Sequence, residues 1–231
     1  MLNLLKKLNN LPTKVLCRSS DLSTVLNQLG LKHNMTILDV GAHKGQTTAH
    51  FNKLFPKSSL YAFEPSPELF PLLSQNLAKI KNSSCYNIAL GSSDGEGFLT
   101  LPSSDLCGQV SLIKNQSQNS TKVSLHKLDT FSAEHNIEKI DLLKIDVEGQ
   151  EISVLEGAKG LLQKNSIKSI FLECDFNQED TQHSFFFDVF NYLNSKNFSF
   201  YGLFDLVHYS PSYGIGFCNA LFLNRKVFSS L

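Results

Sequence analysis

The sequence has no tryptophan, no excess of charge of either sign and no long hydrophobic run. Its 231 residues include 21 Lys+Arg and 21 Asp+Glu, so the formal net charge is zero at pH 7. A protein that binds nucleic acid through a broad basic face would carry an excess of positive charge, so we expect no nucleic-acid partner. No stretch approaches the roughly 18 consecutive apolar residues of a membrane-spanning helix, so we expect no stable membrane insertion.

Cysteine is scarce and scattered, with five residues and no C-x-x-C pair. An odd count without short spacings argues against a disulfide framework or a zinc site, and it favours a reducing compartment. The seven histidines include no pair at the i, i+4 spacing of a helical metal site. We therefore predict a cytoplasmic protein that holds no metal ion.

Apolar segments alternate with helical patterns from residue 36 onward. The predicted strands cover residues 36–40, 60–63, 85–90, 141–146, 167–174, 198–204 and 217–223. Strands that alternate with helices form βαβ units, so the pattern predicts an α/β fold with a mainly parallel sheet covered on both faces. The last two strands have no helix between them, which predicts an antiparallel hairpin at one edge.

Two segments differ in composition from this alternating pattern. Residues 1–35 precede it and are predicted to form a helical extension, which leaves residues 36–231 as one domain. Residues 91–128 are rich in Ser, Gly, Asn and Gln, with short alternating runs. They predict a strand-rich insertion that is too small to bury a core of its own.

The helices carry sequence signals of their own. Ser66 and Pro67 supply a cap and a favourable first helical position, although Pro71 conflicts with a regular first turn. The hydrogen-bonded part of that helix is therefore expected to begin later than Pro67. Apolar residues at helical spacing predict a further helix through 154–162.

A glycine-rich turn joins the first predicted strand to the first helix, with the pattern Asp39-x-Gly41-x-x-x-Gly45. Such a turn lets a ligand approach the backbone closely at the carboxyl edge of the sheet. The spacing differs from the G-x-G-x-x-G of dinucleotide-binding folds and from the G-x-x-x-x-G-K-[ST] of phosphate-binding loops. It matches the first motif of S-adenosylmethionine (SAM) methyltransferases, in which this backbone holds the methionine moiety and the acid fixes its amino-acid end. The alternative is an ordinary tight turn.

Two later strand ends add to this pattern. Glu64, followed by Pro65, closes the second strand, where an acid can accept hydrogen bonds from both ribose hydroxyls of an adenosine. Nicotinamide enzymes use the same acid, so Glu64 indicates an adenosine without indicating methyl transfer. The segment from Asn87 through Ala89 and Leu90 ends the third strand and would border the adenine, or it is merely a strand end and a turn.

The fourth strand delivers a dense group of charges, Lys144, Asp146, Glu148 and Glu151. Charges in apolar surroundings are costly unless they are paired or functional. If the strand continued, Asp146 and Glu148 would point the same way and would orient an acceptor hydroxyl or take its proton. The alternative is that Glu148 and Glu151 complement the N-terminus of the next helix while Lys144 neutralises them.

Together these blocks resemble the FkbM-type methyltransferases of the class I SAM-dependent fold. The residues that carry the resemblance are 38–45, 63–65, 87–91, 128–130, 141–151, 155–158 and 219–222. The resemblance implies a Rossmann-like sandwich with a seven-stranded, mainly parallel sheet whose last strand is antiparallel. It also implies SAM as the methyl donor and O-methylation of a small-molecule or carbohydrate acceptor.

The motifs and the resemblance together indicate the site residues. Those expected to bind the cofactor are Asp39, Gly41, Ala42, His43, Gly45, Glu64, Pro65, Asn87, Ala89, Leu90 and Asp146. Asp146 and Glu148 are the candidate catalytic residues. The family usually carries Asn where His43 stands, so His43 either contacts the cofactor's carboxylate or lines the acceptor entrance. Glu173 and Asp175, at the end of the fifth strand, are further candidates to face the cleft.

Two rival functions remain open from the sequence. The first is a nicotinamide-dependent oxidoreductase, which the glycine spacing disfavours. The second is a non-catalytic interaction module that retains the fold. Such a module could lose Asp39 and Glu64 without consequence, and this chain retains both.

Overall fold

The architecture comes from a computed structural model, which describes residues 21–31, 33–100, 111–113, 120–179, 183–208 and 215–228. The described strands are β1 (Thr36–Val40), β2 (Ser59–Phe63), β3 (Ser83–Tyr86), β4 (Ala89–Leu90), β5 (Gly95–Thr100), β6 (Ser111–Ile113), β7 (Ser120–His126), β8 (Ile140–Ile145), β9 (Ile167–Asp175), β10 (Phe198–Phe204) and β11 (Phe217–Asn224). Seven of them form one sheet in the order β10-β11-β9-β8-β1-β2-β3. The pairs from β9 to β3 are parallel, and β11 is antiparallel to β9 and β10. The predicted α/β fold with an antiparallel last strand is confirmed.

Helices cover both faces of this sheet, so its central strands are buried on both sides. The described helices are α1 (Leu22–Gln28), α2 (Gln46–Leu54), α3 (Phe70–Leu77), α4 (Leu128–Glu134), α5 (Glu151–Glu156), α6 (Lys159–Gln163) and α7 (Phe186–Ser195). Apolar side chains of α4 to α7 pack into one core cluster, and those of α1 and α2 pack into a second. Burial on both faces explains why β1 and β8 have nearly continuous apolar sequences.

The order of the strands reverses direction at β1. From β1 the chain proceeds through β2 to β3 on one side, and later through β8 to β9 on the other. A crevice forms at such a point, outside the carboxyl ends of the two central strands, because their connections leave in opposite directions. The turns that follow β1 and β8 therefore meet there, which places two motif-bearing loops side by side.

Strands β4 to β7 form a second, smaller sheet in the order β4-β7-β5-β6, as the predicted strand-rich insertion requires. Its buried apolar cluster is small and consists of Ala89, Leu99 and Val123. The single strand predicted over 85–90 was wrong, because β3 pairs with β2 whereas β4 pairs with β7. A short turn separates the two pieces, and a run of mixed apolar residues does not show which sheet each piece joins.

Helix α3 begins later than Pro67, as predicted from the conflict of Pro71 with a regular first turn. The helix begins at Phe70, since the residues from Pro67 to Leu69 form a turn instead. Ser66 closes that turn by accepting the Leu69 N–H on its Oγ at 3.2 Å. Pro71 lies in the first turn of the helix, where its missing N–H would have no helical partner in any case.

The helix predicted through 154–162 is two short helices. α5 and α6 are separated by a turn at Gly157 and Ala158. A Cβ at Gly157 would lie 2.0 Å from the Gly91 carbonyl oxygen, and the Gly157 carbonyl accepts the N–H of Asp129 at 2.9 Å. The break therefore lies where the turn contacts two distant segments, a contact that apolar periodicity cannot show.

Asp129 caps α6 from the neighbouring helix α4, and its removal is expected to destabilise the fold. Its carboxylate accepts the N–H groups of Gly160 (2.6 Å) and Leu161 (2.9 Å) in the first turn of α6. We expect Asp129→Ala to lower the free energy of unfolding by about 1–2 kcal/mol, a usual cost of losing a helix cap. Urea titration followed by circular dichroism measures the change, with Glu134→Ala at an exposed position of α4 as the control. Equal effects of the two substitutions would contradict the capping role.

Helix α1 packs into the domain although it precedes the alternating pattern. Val25 and Leu26 are buried in the same apolar cluster as Phe51 of α2. The domain boundary proposed at residue 35 stays a prediction, and residues 1–20 lie outside the described part of the chain. Within the described ranges, no helix is long and apolar enough to cross a membrane.

Candidate active site

A cavity of about 320 Å³ lies at the carboxyl ends of β1, β2 and β8, where the strand order reverses. Eight of the residues singled out from the sequence line it: Gly41, His43, Glu64, Pro65, Ala89, Leu90, Asp146 and Glu148. The other four residues assigned to cofactor binding are not part of its lining: Asp39, Ala42, Gly45 and Asn87. The fold therefore gathers the loops after β1, β2, β3 and β8 around one space, because the parallel strands end at one edge of the sheet.

Gly41 lets the loop after β1 approach the end of β8. Its φ of 82° lies in the left-handed region, and a Cβ there would lie 1.8 Å from the Asp146 carbonyl oxygen. The Asp146 N–H donates to the Val40 carbonyl at 2.9 Å, which ties β8 to β1 at that level. A side chain is excluded both by the backbone conformation and by the contact. The two loops with candidate ligands are thereby held against each other.

The rest of the loop after β1 is shaped by backbone conformation and packing. His43 has a φ of 50°, a conformation in which both histidine and the family's asparagine are enriched, so the departure at this position preserves the loop. Gly45 also has a positive φ, and a Cβ there would lie 2.9 Å from Leu73 Cδ1 of α3. Ala42 is buried in the same small apolar cluster as Leu73. Gly45 and Ala42 thus support the loop from behind.

Asp39 lies beneath the cavity and is only 2% exposed. Its carboxylate accepts a hydrogen bond from the Thr48 hydroxyl at 2.5 Å. Burial raises the pKa of Asp39, in opposition to the lowering effects of Thr48 and of Lys144 on the neighbouring strand. The side chain joins β1 to α2 and so fixes the loop between them. Its contact with the cofactor stays a prediction.

Glu64 is a buried acid on the cavity wall, and backbone donors hold its carboxylate. Oε2 accepts the His43 N–H at 2.8 Å, and Oε1 accepts the Ser66 N–H at 2.9 Å. Burial raises the pKa of Glu64 to about 7, although the two N–H groups favour the ionised form. Each carboxylate oxygen has a second lone pair. Glu64 is therefore fixed in place and able to accept further hydrogen bonds from a ligand.

The turn after β3 supports Glu64 and supplies apolar wall. Asn87 donates through Nδ2 to the carbonyl oxygens of Glu64 (2.8 Å) and Pro65 (3.1 Å), so its side chain braces the turn after β2. The apolar side chains on the wall are Val40, Phe63, Leu69, Ile88, Ala89, Leu90, Leu99 and Val147. Leu99 belongs to the second sheet, and sequence reasoning missed it because strand pairing in the insertion leaves no local signal.

Asp146, which is half-buried, forms an ion pair with a buried lysine at the end of β8. Its Oδ2 lies 3.0 Å from Lys144 Nζ, and the lysine side chain is only 5% exposed. Burial by itself would raise the pKa of Asp146, but the charge and hydrogen bond of Lys144, a hydrogen bond from Glu173 and the charge of His183 together outweigh it, so the pKa lies below its usual range. Asp146 is therefore an ionised carboxylate on the cavity wall at neutral pH.

Glu148 lies in the turn beyond β8, so the strand does not continue and the condition under which Asp146 and Glu148 would point the same way is not met. β8 ends at Ile145, and Glu148 has a φ of 54°, a conformation that costs energy in a residue other than glycine. Burial raises the pKa of Glu148 to about 7, with a further rise from the charges of Asp146 and Glu173. Strain and a raised pKa at one cavity residue are typical of functional sites.

Glu151 braces the acidic turn, a role that sequence reasoning did not find. Its Oε1 accepts the N–H groups of Val147 (3.1 Å) and Gly149 (3.3 Å). Its Oε2 accepts the N–H (3.1 Å) and the hydroxyl (2.5 Å) of Ser184. One buried carboxylate thus fixes the loop that carries Asp146 and Glu148.

The end of β9 adds a further acid, Glu173, to this cluster. The Glu173 carboxyl lies within hydrogen-bonding reach of Asp146, and burial raises its pKa. His183 Nε2 lies 3.3 Å from Glu173 Oε2, and the imidazole stacks on Phe217 with ring centroids 4.9 Å apart. Asp175 is buried and accepts the Asn177 N–H. Glu173 therefore faces the acidic turn.

A sequence profile described as the methyltransferase FkbM domain matches residues 39–200. The matched region contains the loop after β1, Glu64 and the acidic turn after β8. The chain belongs to the FkbM methyltransferase family. SAM is therefore its expected cofactor, and the class I methyltransferase fold implied by the resemblance is confirmed.

Curated relatives resemble this chain over only part of their own length. The 2-O-methyltransferase NoeI of Sinorhizobium fredii is 29% identical over 150 residues, which cover 58% of this chain and 61% of NoeI. The hexuronic acid methyltransferase AglP of Haloferax volcanii is 26% identical over 135 residues, which cover 58% of this chain and 54% of AglP. The chain thus spans little more than half the length of these curated relatives. A solved fibrillarin/Nop5p complex is similar in fold, with a TM-score of 0.50, 15% identity, and coverage of 83% of this chain and 73% of that chain.

The residues on the cavity wall fit SAM. The carboxylate of Glu64 suits the ribose hydroxyls, and the apolar wall around Ile88 and Leu90 suits a flat adenine ring. Asp146 and Glu148 place negative charge on the wall where a sulfonium cation would be stabilised. The described residues contain no group of three or more His, Cys, Asp or Glu side chains arranged to hold a metal ion.

Proposed function

We propose that this chain is a SAM-dependent methyltransferase that transfers a methyl group to a hydroxyl of a small molecule or carbohydrate. The observation that carries the proposal is that one cavity, at the point where strand order reverses, joins two kinds of acid. It has a buried, N–H-anchored Glu64 on one wall and the acidic turn of Asp146 and Glu148 on another. The acid that suits a nucleoside ribose, Glu64, and the acids that could accept a proton, Asp146 and Glu148, thus line the same cavity.

The roles of the cofactor residues follow from their positions. Glu64 accepts hydrogen bonds from the ribose hydroxyls, and Asn87 keeps it in place by fastening the turn behind it. The backbone from Gly41 to His43 contacts the methionine portion, since only a loop without a side chain at Gly41 can lie so close to β8.

The two acids of the turn have different roles because their pKa values differ. When bound, SAM supplies a methyl group on a sulfonium, a leaving group that needs no help from an acid. Asp146, which is ionised and pairs with Lys144, accepts a hydrogen bond from a hydroxyl of the acceptor beside the reacting one, and so orients the reacting oxygen for attack on the methyl carbon. As the new O–C bond forms and the C–S bond breaks, the hydroxyl proton passes to Glu148, whose pKa of about 7 suits a general base.

Hydroxyl acceptors are favoured by the name of one similar protein, NoeI, and by the acids of the site. NoeI is named as a 2-O-methyltransferase and AglP as a hexuronic acid methyltransferase. The test is incubation with methyl-labelled SAM and a panel of glycans and small hydroxyl compounds, followed by mass identification of the product. Label on a hydroxyl oxygen is the expected result. Label only on nitrogen or carbon would contradict O-methylation, and absence of label with every acceptor would favour a non-catalytic module.

Substitution of Glu64 is expected to weaken cofactor binding. Glu64→Gln removes the charge that accepts the ribose hydroxyls, and we expect the Kd for SAM at pH 8 to rise about tenfold. Titration calorimetry measures the Kd, and thermal unfolding checks that the variant is folded. Glu68→Gln, at an exposed position close by in sequence, is the control and should leave the Kd unchanged. An equal Kd for SAM in Glu64→Gln and the native chain would contradict the role of Glu64 in binding the cofactor. Tighter binding of NADH than of SAM to the native chain would favour the oxidoreductase.

A further inference from the structure

A second cavity, of about 690 Å³, lies beside the first on the face of the sheet that α1 and α2 cover. Asp146 is on the wall of both cavities, so the acidic turn lies between the candidate cofactor site and this space. The opposite wall comes from the ends of β10 and β11. A methyl acceptor must reach Asp146 from a side that the cofactor does not occupy, and this cavity offers such a side.

Strand register brings polar residues into a row along this edge. Glu173 lies beside Asp146, because β8 and β9 are in register up to Ile145. Glu173 pairs with Asn219 on β11, and the next strand, β10, is followed directly by Asp205. The row therefore crosses four strands and leads from the acidic turn into the second cavity.

Asn219 carries an acceptor that the fold leaves unsatisfied. Its Nδ2 donates to Asp205 Oδ2 at 3.2 Å. An ionised carboxylate only accepts hydrogen bonds, so the amide nitrogen must face Asp205, and this decides the orientation of the amide. Oδ1 is buried and has no hydrogen-bond partner within the described ranges. A buried acceptor of this kind favours a ligand that brings a hydrogen-bond donor.

The charges on the wall exclude one class of ligand. Three carboxyl groups line the cavity, those of Asp21, Asp146 and Asp205. The lysine on the wall, Lys144, is already paired with Asp146 at 3.0 Å, and His50 is the other basic side chain there among the described residues. Carboxyl groups in excess over free basic groups repel an anion and attract neutral donors.

We propose that the second cavity is the acceptor site and that it takes an uncharged polyhydroxyl ring, with Asn219 and Asp205 as the residues that select it. This inference rests on the proposed methyltransferase function. Asn219 Oδ1 and the Asp205 carboxylate accept from neighbouring hydroxyls of the ring. Phe171 and Phe204, whose ring centroids are 5.7 Å apart, present apolar surface to its C–H face. A uronic acid, which carries a carboxylate, is the disfavoured acceptor.

The test compares matched sugars on the chain saturated with S-adenosylhomocysteine, which lacks the transferable methyl group. The probes are methyl α-glucopyranoside and methyl α-galactopyranoside, each paired with the uronic acid in which a carboxylate replaces CH2OH. Saturation-transfer NMR titrations provide the Kd values. We expect the neutral glycosides to bind saturably and the uronic acids to bind about tenfold more weakly. Asn219→Leu should weaken glycoside binding about tenfold, and Asp205→Asn should remove most of the discrimination against the uronic acids.

The controls separate this inference from the function on which it rests. Asn191→Leu, at an exposed position on α7, should leave every Kd unchanged, and Asn219→Leu should bind SAM as the native chain does in calorimetry. The inference is overturned if the glycosides do not bind, if the uronic acids bind as tightly as the neutral glycosides, or if Asn219→Leu leaves the Kd for the glycosides unchanged. Failure of the native chain to bind SAM would instead contradict the proposed function.

Discussion

Replacement of Asp146 by asparagine is expected to lower turnover by about 10²- to 10³-fold while the Kd for SAM changes by no more than about threefold. The carboxylate lies on the walls of both cavities and is kept ionised by Lys144 at 3.0 Å. An asparagine oxygen still accepts a hydrogen bond from Lys144, but the buried lysine loses its counter-charge, so thermal unfolding must check that the variant is folded. Asparagine lacks the negative charge with which Asp146 orients the acceptor.

The measurement is kcat at saturating SAM with the acceptor identified by labelling, together with the Kd for SAM from calorimetry. Asp94→Asn is the matched control, because Asp94 also pairs with a lysine, Lys127 at 3.1 Å, but does not line either cavity. Unchanged turnover in Asp146→Asn would rule out its role in catalysis. A loss of SAM affinity as large as the loss of turnover would make Asp146 a cofactor ligand instead.

Glu148→Gln is expected to lower kcat about 100-fold at pH 8 and to remove the acid limb of the pH profile. The pKa of Glu148 is about 7, so the native chain loses its base as the pH falls through 7, and kcat should fall about tenfold per pH unit below it. Glutamine accepts no proton at any of these pH values. The two profiles should therefore converge at low pH. A native profile that is flat from pH 5 to 8 would contradict the role of Glu148 as base.

Glu148→Gln is expected to raise the stability of the fold at high pH, although it lowers kcat there. Burial raises the pKa of Glu148 above that of the unfolded chain, so the folded state binds its proton more tightly. The stabilisation from this proton is complete at pH values below the ordinary carboxyl pKa and is lost as the pH rises through about 7. Glu148→Gln should consequently raise the Tm more at pH 8 than at pH 5. Thermal unfolding at both pH values measures this, with Glu134→Gln as the exposed control.

Much of the fold could be predicted because its main strands are buried on both faces. The runs at 36–40 and 141–146 are apolar for that reason, and both correspond to central strands, β1 and β8. The division between β3 and β4 could not be predicted, since the choice of sheet depends on pairing with β7, which lies beyond the insertion. The break at Gly157 likewise depends on a contact with a distant backbone segment.

The site residues likewise fall into those that the sequence could locate and those whose contacts it could not show. Glu64 and Gly41 were found because each directly follows a predicted strand, and parallel strands present their carboxyl ends at one edge. Glu151 and Asn219 were not assigned their contacts, because Ser184 and Asp205, which bind them, are distant in sequence or lie across a hairpin. Spacing along the chain carries no signal for such partners.

The sequence by itself indicated the family, the alternation of strands and helices and the loops that meet at the candidate cofactor cavity, because apolar runs and loop motifs are local properties of the chain. Only the tertiary structure distinguished Asp146 from Glu148, two acids of one turn that look equivalent in the sequence. One lies against a buried lysine and is ionised, while the other has a positive φ, lacks such a partner among the described contacts and has a pKa of about 7. A pKa depends on burial and on the charges that the fold brings near, and neither is contained in the spacing of residues.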